Sequence, residues 1–208
     1  MLIEEWLQWL QIASMGMSFI LTAFMLWRYF VKREKHILIW TLAWLLVGIR
    51  VVIGLSGPKF LITNFMNDSL TIAHDLLWFL GLAILLRFTY MKRYIFPLIY
   101  LFFHLLISGV LYFWLKSNVY AAIETTIFAH PILLFILSWY FYICSRAIKS
   151  MGAKIISTSF FFWALDYIIF GVGYFGMGNQ FAGILGWGIG LIFRIVIFIG
   201  FLKMTVEK

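Results

Sequence analysis

Seven apolar blocks, each about 19–27 residues long, run through the sequence, and at 1.5 Å per residue each spans a hydrocarbon core of about 30 Å. They cover, to within a few residues, positions 6–30, 37–55, 70–90, 94–115, 119–145, 155–175 and 181–202. Charged residues make up only 12% of the chain, against about a quarter in soluble domains. The expected fold class is an all-α membrane protein, a seven-transmembrane-helix bundle forming a single domain over residues 1–208.

The connections set the expected orientation. Of the 16 basic residues, Arg28, Lys32, Arg33, Lys35, Arg87, Lys92, Arg93, Arg146, Lys149, Lys154, Lys203 and Lys208 fall on one side, and only Lys59 and Lys116 on the other. Arg50 and Arg194 lie within helices. Positive clusters stay in the cytoplasm, which predicts the N-terminus outside and the C-terminus inside a cell membrane crossed several times. Trp6, Trp9, Trp114 and Tyr120 at the outer ends fit an aromatic belt, as do Trp27, Tyr29, Trp40, Tyr90, Tyr94, Tyr140 and Tyr142 at the inner ends. The positive residues form short loop clusters with no stripe to track phosphates, so nucleic acid is excluded as a partner. The lipid bilayer is the expected one. The start is acidic at Glu4 and Glu5, unlike a cleavable signal peptide, so the first helix is read as retained. Cys144, the single cysteine, reads as a small apolar residue in a helix.

Ionisable groups inside a membrane are costly, and each needs an explanation. Asp166 lies about 16 Å and Arg194 about 13 Å from the inner ends of the sixth and seventh helices. Ala182, Gly186 and Gly190 share a face with Arg194, and small residues let helices approach closely. This predicts an intramembrane ion pair, Asp166–Arg194, acting as a structural clamp or as a switch or substrate counter-ion. A second set lies in the outer half, with Arg50, His74, Asp75 and His130 about 20–23 Å from the inner ends and Glu124 above them. Facing inward together, these residues line a ligand-binding pocket open to the outside. Facing apart, each makes its own helix-to-helix contact. Neighbours on a helix point about 100° apart, so His74 and Asp75 cannot both face one point squarely. His104 reads as a satisfied core residue. His130-Pro131 predicts a kink in the fifth helix, and the glycines from Gly171 to Gly190 predict close packing around the last turn.

Several chemistries find no support. A retinal protein needs a Schiff-base lysine within its last helix, and only Lys203, at the inner end, is present there. No metal site or cofactor is expected. No nucleophile, base and orienting group assemble into a catalytic set, and no hydrolase or phosphate-binding motif occurs.

The segment Trp27-Arg28-Tyr29-Phe30-Val31-Lys32-Arg33-Glu34-Lys35, followed by Trp40-Thr41-Leu42-Ala43-Trp44, resembles the first hinge of the seven-helix membrane sensor regions of archaeal and bacterial histidine kinases and related signalling proteins. The topology resembles theirs over the whole chain. The resemblance implies a sensor or ligand-binding module acting through a cytoplasmic signalling partner and a small-molecule ligand. The alternative is a small transporter or channel for a polar solute or ion, which the lack of an internal repeat weakens.

Overall fold

The structure is a computed structural model that describes residues 3–56, 61–87, 95–116, 120 and 123–206. Lys59, Lys92, Arg93, Lys208, Tyr90, Tyr94 and the turn at Gly57-Pro58 lie outside the described residues. The described residues are helical, and seven helices are long and apolar enough to cross a membrane.

They are α1 (Ile3–Lys32), α2 (Lys35–Ser56), α3 (Leu61–Leu85), α4 (Phe96–Gly109), α5 (His130–Ala147), α6 (Met151–Gly171) and α7 (Gln180–Val206). Wide π-helical turns extend three of them: Val110–Trp114 after α4, Glu124–Ala129 before α5 and Val172–Gly176 after α6. The turn before α5 has a cause in the sequence. Pro131 has no N–H to donate, and its ring crowds the carbonyl four residues back, so the preceding turn widens. The expected distortion at His130-Pro131 is therefore a π turn.

Helices α1, α2, α3, α5, α6 and α7 close into a ring, each against its neighbours, while α4 leans on the outside of α3 and the π turn before α5. Large apolar side chains such as Phe19, Ile20, Leu98, Phe102 and Ile192 are exposed on the outer surface. A bilayer is the solvent that suits them.

α3 differs most from expectation. It begins at Leu61, about nine residues before the apolar block that marks it. Asn64, Asn67, Asp68 and Ser69 read locally as a connection. In the fold Ser69 Oγ donates to the Phe65 carbonyl (2.7 Å) and Thr71 Oγ1 to the Asn67 carbonyl (3.0 Å). Asp68 accepts from the Tyr112 hydroxyl. The polar groups of Asp68 and Ser69 are thus satisfied within the bundle, so the helix tolerates them.

At the end of the bundle opposite the N-terminus, the interior is a packed aromatic core. Trp40, Trp44, Trp78, Phe141, Phe160 and Phe201 are almost wholly buried. Trp78 stacks on Trp40 and on Phe201, with centroids 5.4 and 5.6 Å apart. Trp40 thus departs from the aromatic belt assigned to it. It faces inward, where its Nε1 donates to the Trp78 carbonyl (3.2 Å). Gly81 makes this possible, since an added Cβ there would collide with the Trp40 indole. Of the other belt residues, Trp6, Trp9, Trp27, Trp114, Tyr120 and Tyr142 are exposed, whereas Tyr29 and Tyr140 are half-buried, Tyr140 packing against the core.

Three of the glycines near the last turn pack closely, as expected, whereas Gly178 and Gly188 have nothing within 4 Å of an added Cβ. A Cβ on Gly186 would lie 2.6 Å from the Phe170 ring, one on Gly173 2.8 Å from Ala182, and one on Gly171 2.5 Å from Ile127. These contacts bring α6 close to both α5 and α7.

Candidate functional site: a polar cavity inside the bundle

A cavity of about 220 Å³ lies inside the ring at the end that carries the N-terminus. Leu7 and Gln11 of α1, Tyr174 in the π turn after α6 and Gly183 at the start of α7 line its mouth. Its walls hold two cations, Arg50 and Arg194, and two acids, Asp68 and Asp166. Aromatic rings fill the space between them: Trp163, Tyr167, Phe170 and Trp187.

Local geometry places these groups. Helical side chains tilt toward the helix N-terminus, and α7 starts at the cavity's mouth. Arg194 therefore reaches back toward Gly190, where a Cβ would sit only 3.2 Å from its Nη1. Its guanidinium lies over the Trp163 ring, 5.0 Å from the centroid. Trp163 and Asp166 are three residues apart on α6 and share a face.

The direct Asp166–Arg194 ion pair expected from their matched depths is not formed, and no salt bridge joins them. Both side chains are buried and both line the cavity. Depth along a helix was read correctly; rotation about its axis sets them on separate stretches of wall. Arg194 Nε is buried without a hydrogen-bond partner among the described residues.

The outer set divides into three. Arg50 and His130 line the cavity, and Arg50 Nη1 donates to Thr71 Oγ1 (2.7 Å). His74 and Asp75 form a layer behind it, with Asp75 wholly buried. Asp75 solves the angular problem by using both its oxygens. One accepts from Nδ1 of its neighbour His74 (2.9 Å), and the other crosses to Nδ1 of His130 on α5. A small void bordered by His74, His130, Arg50 and Arg194 separates this layer from the cavity. The His74 ring is oriented in turn by Trp78, whose Nε1 donates to His74 Nε2 (2.8 Å). An indole can only donate, so His74 Nε2 must accept and its proton sits on Nδ1. His130 Nε2 has no hydrogen-bond partner among the described residues.

Glu124 is not in the cavity. Thr125 and Thr126 turn toward it, which leaves Glu124 on the α4 side of the π turn. There it accepts from Ser108 Oγ (3.3 Å) and lies 3.3 Å from His104 Nδ1. His104 is thereby a partnered, buried residue that ties α4 to α5. The outer pocket of the sequence reading and its inner pair merge into one cavity without Glu124, with His74 and Asp75 as support.

Asp68, Thr71, Trp163 and Tyr167 were missed as site residues. Asp68 and Thr71 sit at the start of α3, in or beside the stretch read as a connection. Trp163 stands one turn from Asp166, a spacing visible in the sequence that becomes meaningful only once Arg194 is seen over its ring.

A second cleft of about 340 Å³ opens at the opposite end, between α1, α2 and α7. Arg28, Lys32, Glu34, His36 and Trp40 line it. Trp40 thus belongs both to this cleft and to the aromatic core.

The fold and site define a helical bundle of seven membrane-compatible spans with a polar cavity at one end and a dense aromatic plug beneath it. Comparison with protein-family models, curated proteins and solved structures finds no match to the chain.

Proposed function

We propose that this chain is a multi-pass membrane sensor that binds a small solute in the cavity and passes the event to a cytoplasmic signalling partner. The reading places the N-terminal end outside the cell membrane and the C-terminal end inside, on the strength of the charge asymmetry of the connections. In that orientation the cavity faces outward and the basic cleft at Arg28, Lys32 and His36 faces the cytoplasm.

One observation carries the reading. A hydrogen-bonded chain runs from the cavity wall to the opposite cleft: His130 to Asp75, Asp75 to His74, His74 to Trp78, and the Trp78 carbonyl to Trp40. A ligand that reorients His130 must either strain this chain or shift it. Sensing needs only a different affinity for two such arrangements. Transport needs a path, and the buried tryptophans and phenylalanines below the cavity would have to part to make one.

The test uses the full chain in proteoliposomes and nanodiscs. A fluorophore on Met204→Cys, in a Cys144→Ala background, sits at the inner cleft. Cavity ligands change its emission if the ends are coupled, and Trp40→Phe, which deletes the indole donor, reduces that change. Solute uptake into the vesicles, or an emission unaffected by a ligand known to bind, would reject the sensor in favour of the small transporter or channel. Asp166 and Arg194 serve in the sensor reading as cavity walls that the ligand draws together.

A further inference from the structure

We propose that Arg194 and Asp166 are the two poles of a binding site for a small zwitterionic amino acid, whose carboxylate meets Arg194 and whose ammonium group meets Asp166. The inference rests on the ligand-binding reading above and narrows it to one chemical class.

Opposite charges on adjacent helices ordinarily neutralise each other by contact. Here they do not touch, although both line one cavity. Arg194 is 2% exposed and its Nε has no partner. Asp166 is 8% exposed, and its carboxylate forms no hydrogen bond or salt bridge with the described residues. A simple anion would satisfy Arg194 and add repulsion at Asp166, and a simple cation would do the reverse. A zwitterion satisfies both.

The rest of the wall agrees. Arg50 is engaged by Thr71 and Asp68 by Tyr112, so the unengaged charges are the Arg194–Asp166 pair. Across the whole wall the two arginines and two aspartates cancel, which suits a ligand of no net charge. His130 supplies a third contact. Its Nδ1 is directed at the Asp75 carboxylate, which can only accept. The unpartnered Nε2 of the neutral ring therefore offers a lone pair, as an ammonium N–H requires. The neighbouring aromatic rings add favourable faces for a cation.

Size narrows the class further. An apolar cavity of about 150 Å³ accepts benzene, so by proportion about 220 Å³ holds roughly nine non-hydrogen atoms. That spans glycine to leucine.

The test uses purified full-length protein in nanodiscs, reading tryptophan fluorescence, since Trp163 and Trp187 line the cavity, together with unfolding temperature. The probes are glycine, L-alanine, L-valine, L-leucine, β-alanine and γ-aminobutyrate at millimolar concentration. Each is paired with the acid lacking its amine and the amine lacking its carboxylate. At least one zwitterion is expected to bind and stabilise, with its acid and amine analogues weaker by about tenfold or more, because each leaves one buried charge unpaired. This comparison uses the unaltered chain, so it does not depend on any variant folding. Arg194→Gln and Asp166→Asn should each abolish the response while still eluting as folded protein. An acid that binds as tightly as its amino acid overturns the proposal in favour of an anion site, and an equally tight amine in favour of a cation site. Both results leave the sensor reading standing. No binding by any probe overturns the zwitterion site, with water or ions alone satisfying the wall, and leaves the sensor reading to its own fluorophore test. Zwitterion binding accompanied by uptake would keep this site and remove the sensor.

Discussion

Replacing Asp75 with alanine strips two buried imidazole rings of one shared acceptor. Asp75 is wholly buried and takes a hydrogen bond from Nδ1 of His74 and from Nδ1 of His130. His74 cannot compensate by moving its proton, because Trp78 Nε1 already occupies its Nε2. Each buried N–H left without an acceptor costs about 1–3 kcal/mol, so the pair costs about 2–6 kcal/mol. In membrane bundles a single interhelical bond is worth nearer 0.6 kcal/mol, because the unfolded helices find other partners. The lower end, about 2 kcal/mol, is therefore expected. The chain carries its own reporter, since Cys144 is its single cysteine and is fully buried. Under conditions where reclosing outpaces labelling, a thiol reagent reads the open population, and about 2 kcal/mol corresponds to labelling roughly thirtyfold faster. Asp75→Asn keeps an acceptor for His74 and lets His130 move its proton to Nε2, so its labelling should rise far less. If the alanine variant labels no faster than the unaltered chain, or if asparagine is as damaging as alanine, the shared-acceptor reasoning is wrong.

Arg194→Gln should raise the unfolding temperature of the ligand-free protein. It removes a buried cation whose desolvation costs several kcal/mol and gives up a cation–π contact worth about 0.5–2 kcal/mol; a lower unfolding temperature would contradict this. Gly186→Ala places a Cβ 2.6 Å from the Phe170 ring where ordinary contact begins at 3.4 Å. Ring or helix must therefore retreat by about 0.8 Å, at about 1–3 kcal/mol, and ligand affinity should fall because Phe170 lines the cavity. Gly188→Ala, with nothing within 4 Å of its Cβ, is the control and should be neutral or slightly stabilising in equilibrium unfolding. Glu124→Gln weakens the tie from α5 to His104 on α4 and should cost no more than about 1.7 kcal/mol. It should leave ligand affinity unchanged in the fluorescence titration, because Glu124 is outside the cavity.

The seven spans were legible in the sequence because apolar length and connection charge are local quantities that need no knowledge of neighbouring helices. The boundaries of α2 and α7 lie within a few residues of their apolar blocks. α3 shows the limit of that reading, since Asn64, Asn67 and Asp68 look like a connection until Tyr112 and the cavity appear beside them. Trp40 shows it again. A tryptophan near a helix end reads as a belt residue, and only the stacking of Trp78 with the gap left by Gly81 turns it inward.

Depth was likewise legible, because each residue adds a fixed rise along the helix, and it set Asp166 against Arg194 and Arg50 against His130. Rotation was not. One residue turns a helical side chain by about 100°, so a small change in how two helices face each other decides between contact and separation. That angle depends on packing along the whole length of each helix. The sequence by itself determined a seven-span bundle with ionisable groups at matched depths. Only the tertiary structure decided that Asp166 and Arg194 stand apart across one cavity, that Glu124 turns away to His104, and that His74 and Asp75 brace His130 from behind.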